Sequence, residues 1–85
     1  MAKTIRSSGQ EALCKALIAA RKDAGLTQQA LATKLRCHQS LIARFESGQR
    51  RIDVIEFVVI SRAIGVVASE ILKDLELSIP VKHRL

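Results

Sequence analysis

The chain has 85 residues, 48% of them hydrophobic, and its 14 Lys and Arg against 8 Asp and Glu give a formal net charge of +6. That length is one small domain with a modest core, to which a partner or a second copy would add stability, and the charge points to a polyanion or an acidic surface. Two Phe with no Trp or Tyr supply no ring platform for stacking single-stranded nucleic acid. Two Cys make no disulfide framework. Neither a secretory signal nor an apolar run long enough to span a membrane is visible, so a secreted, membrane-spanning or multidomain protein is not expected.

Residues 1–8 read as a loose basic arm with Lys3 and Arg6. Apolar residues then recur at three and four, and Gly25, Gly48, Gly65 and Pro80 punctuate the runs, where a helix end needs positive φ or a stop. The first helix is expected over 10–23, with the stripe Leu13, Ala16, Leu17 and Ala20. The second, 27–35, carries Leu31, Ala32 and Leu35 and opens on Thr27, whose hydroxyl can accept the orphan amides of a first turn. The third, 38–46, turns Leu41, Ile42 and Phe45 inward; His38 is a poor cap for it. The fourth, 53–64, begins with a capping-box pair, Asp53 and Glu56. The fifth, 67–74, begins at Val67, which cannot cap. Together these predict an all-α, compact five-helix bundle over 9–74. The extension 75–85 alternates apolar and polar from Leu75 to Ile79, and Pro80 allows only an edge strand. A strand across a dimer, a docking segment and a frayed end all fit it.

The gap between the second and third helices is too short for antiparallel packing, so they should cross steeply as a helix-turn-helix, with small Ala32 at the close approach. The outer face of the third helix then holds Gln39, Ser40, Ala43 and Arg44. Gln pairs with adenine, Arg with guanine and Ser with several bases in a major groove. Lys34, Arg36, Arg50 and Arg51 flank that face and can neutralise phosphates. Five basic residues and one acid, Glu46, lie between Thr27 and Arg51, so the charge is local to the motif.

The run Arg21…Gly25-Leu-Thr-Gln-Gln-Ala-Leu-Ala…Gln39-Ser-Leu-Ile-Ala-Arg-Phe-Glu-Ser-Gly48…Ala63-Ile-Gly-Val resembles the helix-turn-helix domain of the lambdoid phage repressors and Cro, the Xre-type regulators, over about residues 13–72. The resemblance implies a bundle whose third helix reads DNA, acting as a symmetric dimer on near-palindromic sites. It also implies that Gln28 grips a phosphate with the help of its helix end. Gln39, Ser40 and Arg44 would face bases with His38 at the margin, and Gln49, Arg50 and Arg51 would meet the backbone again. Arg21 and Glu46 match positions that form a structural ion pair between the first helix and the end of the third. The chain departs from the family pattern at Arg36, where Gly is common in the turn, and at Cys37, which replaces an aliphatic residue. Ile55 and Val59 replace polar residues, and Val67 replaces a capping Ser.

Cys14, Cys37, His38 and His83 lack the spacing of a metal site and are expected to bind none; no cofactor is expected either. No nucleophile, base and pocket can be assembled, so an enzyme is not expected. The fourth helix is apolar on nearly every side, which requires cover on more than one face. Ile55 and Val59, with Val66 or Val67, form a patch suited to a two-fold interface. The expected function is sequence-specific binding of double-stranded DNA by a homodimer that regulates transcription, most often as a repressor, in the cytoplasm at the nucleoid. The rival reading is an antitoxin-like protein whose fourth and fifth helices or tail engage a toxin; contact with polymerase is a further protein-partner reading.

Overall fold

A computed structural model describes residues 7–84. The expected Lys3 and Arg6 arm lies outside the described residues. Five helices follow in order: α1 (Ser8–Asp23), α2 (Gln28–Leu35), α3 (Gln39–Ser47), α4 (Val54–Ile64) and α5 (Ala68–Ser78). No strand occurs among the described residues, so the all-α bundle stands.

Local chemistry sets the helix starts. Ser7 Oγ accepts from the Gln10 amide at 3.1 Å and Thr27 Oγ1 from the Ala30 amide at 3.0 Å, which satisfies donors a first turn leaves orphaned. At α4, Asp53 Oδ1 accepts from Glu56 N at 2.7 Å while Asp53 N donates to Glu56 Oε1 at 3.0 Å, the reciprocal pair of a capping box. Neither His38 nor Val67 gives its helix a side-chain cap.

Helix ends repeat one device. After α2, Cys37 N donates to Ala32 O and Arg36 N to Thr33 O, which requires a left-handed residue between them. Gly fills that position after α3 and α4, but after α2 it is Arg36, at φ 57° and ψ 45°. A side chain in that region costs about 1–2 kcal/mol, so the turn of the motif holds strain that its neighbours lack.

The core is a single cluster of Leu17, Leu31, Ala32, Ile42, Phe45, Phe57, Ile60 and Ile64. Ala32 is fully buried, as the close approach of α2 and α3 requires. Cys14 is buried and its Sγ donates to Phe45 O at 3.3 Å, and Cys37 is half-buried against the core. Ser61 is buried in α4 with its hydroxyl unpartnered.

Two features differ from the sequence expectation. Helix α1 starts at Ser8, two residues before the expected 10, so Ser7 caps a helix where an arm was expected. Helix α5 continues to Ser78, so Leu75–Ser78 forms helix where alternation suggested a strand. Ile71 and Leu75 are half-buried, Leu77 stands in solvent, and Ile79 lies over Gly9 of α1, 3.1 Å from where a Cβ would sit. No residue of α5 is fully buried.

Candidate nucleic-acid interface

Helix α3 has an inner and an outer side. Ile42 and Phe45 are buried and Leu41 packs partly on the core, while Gln39, Ser40 and Arg44 are exposed, with half-buried Ala43 between them. A 3.6-residue repeat places these on one outward strip. His38 is exposed at the margin, where the backbone is still extended. Lys34 and Arg36 are exposed at one flank of the strip, and Gln49 and Arg51 at the other.

A buried ion pair fixes this strip to the scaffold. Arg21 Nε donates to Glu46 Oε2 at 2.7 Å and Nη2 to Glu46 Oε1 at 3.0 Å, while Nη1 reaches the Leu26 carbonyl at 2.8 Å. Both side chains are 9% exposed. The guanidinium thus joins α1, the loop before α2 and the last turn of α3 through charge-assisted bonds.

The same carboxylate extends to the outer face. Gln28 Nε2 donates to Glu46 Oε1 at 2.9 Å, and Gln39 Nε2 donates to Gln28 Oε1. Gln28 thereby orients Gln39, a role that spacing along the chain did not reveal. One amide hydrogen and the carbonyl oxygen of Gln39 stay available, which is the donor–acceptor set an adenine edge requires. Thr27 Oγ1 caps the amide of Ala30, so the backbone N–H groups of Gln28 and Gln29 are the ones that a solvent-side anion would meet at the start of α2.

Arg50, expected to meet a phosphate, is half-buried and turned back onto the protein. Its guanidinium lies over the Phe45 ring and pairs with Glu56. That pairing raises the Arg50 pKa through the hydrogen bond to Glu56. Glu56 is held below the ordinary glutamate range, first by Arg50 and then by the Asp53 amide.

A groove of about 200 Å³ opens beside α3, lined by Leu35, Cys37, Leu41, Phe45, Ile55, Glu56, Val59 and Ile60. Ile55 is 72% and Val59 46% exposed at its edge. Of the other expected interface residues, Val67 is exposed, but Val66 packs partly against the core. Among the described residues no three His, Cys, Asp or Glu come together as a metal site, and no helix is long and apolar enough to cross a membrane.

Comparison with known proteins agrees with this architecture. The helix-turn-helix family model HTH_3 matches residues 17–72. The chain is similar to the solved XRE-family like protein from Pseudomonas syringae pv. tomato str. DC3000, at 41% identity and a TM-score of 0.82, over 92% of this chain and 95% of that one. It shares its fold with the clp gene regulator ClgR from C. glutamicum, at 23% identity and a TM-score of 0.76, over 91% and 100% of the two chains. No curated protein matches it.

Proposed function

The chain belongs to the XRE-family helix-turn-helix proteins, and from that premise we propose that it binds double-stranded DNA and regulates transcription, as a homodimeric repressor on a near-palindromic operator. The observation that carries this reading is the outward strip of α3, where Gln39, Ser40 and Arg44 are exposed together and Gln39 is held in place through Gln28 and Glu46. Rigid polar side chains on a short helix are what base-edge recognition in a major groove needs. Lys34, Arg36, Gln49 and Arg51, with the amide end of α2 at Gln28, would neutralise phosphates and set the salt dependence.

The apolar edge of α4 supports the dimer. Ile55 and Val59 border a groove whose carboxylate, Glu56, is already paired, so a second copy could cover it without burying a lone charge. Two copies related by a two-fold axis would offer two α3 helices to successive major grooves, about 34 Å apart.

Selection of bound duplexes from a random double-stranded pool at moderate salt tests the proposal. A recovered palindrome with half-sites about one helical turn apart is the expected result. Binding without any enrichment would show that the charge attracts DNA non-specifically, and would sink the sequence-reading role.

A further inference from the structure

Arg50 is placed unlike the other cations around α3. Its guanidinium carbon lies 4.7 Å from the centroid of the Phe45 ring, inside the range where a cation over an aromatic face is attracted. Nη2 is 3.0 Å from Glu56 Oε2, and Nη1 is 3.4 Å from the Arg51 carbonyl oxygen. The other Glu56 oxygen accepts the Asp53 amide. One carboxylate therefore ties the turn after α3 to the first turn of α4. Phe45 is itself buried in the core, so the ring beneath Arg50 is a fixed surface. Lys34, Arg36 and Arg51 are by contrast exposed.

We infer that Arg50 is a positioning residue for DNA reading, which holds the end of α3 and the start of α4 as one rigid piece, and that phosphate contact on this flank falls to Gln49 and Arg51. The inference rests on the DNA-binding reading above. Its chemistry requires arginine. A planar guanidinium can lie flat on a ring while its edge donates to two acceptors, whereas an ammonium is a compact point charge without that shape. A phosphate contact would accept either cation.

The dependence of duplex affinity on salt separates the two roles, because each phosphate that is no longer neutralised lowers the slope of log affinity against log salt by about 0.9. Anisotropy titrations with a labelled random-sequence duplex and with the selected operator would compare wild type, R50Q, R50K and R51Q. The expected result is a reduced slope for R51Q and a wild-type slope for both Arg50 variants. Discrimination between operator and random duplex should fall about fivefold or more in R50Q, and R50K should not restore it. S7A, which removes the distant cap of α1, controls for stability: a matched loss of melting temperature in S7A should leave discrimination intact.

A slope reduced in R50Q as in R51Q and restored in R50K would overturn the inference. Discrimination unchanged in R50Q, or lost equally in S7A, would overturn it as well. Wild-type protein without salt-dependent duplex binding would overturn the DNA-binding reading itself, and the Arg50 inference with it.

Discussion

The side-chain amide of Gln39 donates to the side-chain carbonyl of Gln28, so the first residue of α3 is held by the first residue of α2. Because Gln28 also donates to Glu46 and Glu46 accepts the Arg21 fork, an outward side chain is indexed to a buried charge. Gln28→Ala should leave the fold intact and free Gln39 to rotate. The expected outcome is a loss of about 1 kcal/mol of discrimination, about fivefold, at the base pair that Gln39 is proposed to read. Repeating the duplex selection with the variant checks this; an unaltered preference at every position would show that Gln39 needs no such support.

The Arg21–Glu46 pair should behave as a buried ion pair. Arg21→Met or Glu46→Gln alone is expected to cost about 3–5 kcal/mol, mainly because the remaining partner stays buried and uncompensated. The double variant should recover part of that loss. Urea unfolding of the four proteins gives the coupling directly; additive losses would mean the two charges stabilise the bundle independently.

Arg36 makes a prediction of the opposite sign. Arg36→Gly relieves the left-handed backbone and should stabilise the protein by about 1 kcal/mol, net of the greater freedom of Gly in the unfolded chain. For a domain of this size that is a rise of about 4–8 °C in Tm. The same variant should weaken duplex binding and lower its salt slope. A Tm that falls would place the cost of the turn elsewhere.

Glu56 should sense acid. Its pKa is lowered in the folded protein by the Arg50 hydrogen bond and then by the Asp53 amide, so the unfolded chain takes up the proton first. The stabilisation is therefore fully present above the ordinary glutamate value of about 4.3 and is lost as pH falls through the lower folded value. Both side chains keep part of their surface in solvent, which limits its size. Melting curves between neutral and acid pH should show a shallower acid loss for Glu56→Gln than for wild type. Parallel curves would assign the acid sensitivity to other carboxylates.

The α4 edge predicts assembly. Ile55→Ser with Val59→Ser removes exposed apolar surface beside the groove and should convert a dimer to a monomer with little effect on Tm at high dilution. Sedimentation velocity checks it, and operator affinity should fall in step. A double variant that sediments as wild type would move the interface off this face.

Local signals were the most legible in the chain. Thr27 and Asp53 cap their helices because the partner amides lie three residues away, a relation written in adjacent letters. The outward strip of α3 followed from periodicity, and the Arg21–Glu46 pair from resemblance to a family. The Gln28–Gln39 bond was not legible, since two glutamines 11 residues apart meet only once the helices cross. Arg50 misled for a related reason: next to Arg51 it reads as one more surface cation, and only the placement of Phe45 and Glu56 turns it inward. At α5, Leu75, Leu77 and Ile79 alternate like a strand. In the structure Leu75 lies beside Leu13 of α1, Ile79, just past the helix end, lies over Gly9, and Leu77, 85% exposed, faces solvent.

That last helix divides the molecule by cohesion. Helices α1 to α4 supply every residue of the core cluster, whereas α5 has no buried residue and starts without a side-chain cap. It is held from outside, with Ala68 and Ile71 partly packed on the core and Leu75 and Ile79 beside α1, so its local opening should cost less free energy than that of α2 or α3. Substitutions on its outer side, such as at Leu77, should be inexpensive to the rest of the fold. That outer side is thus a handle that could be reshaped without retuning the strip proposed to meet DNA.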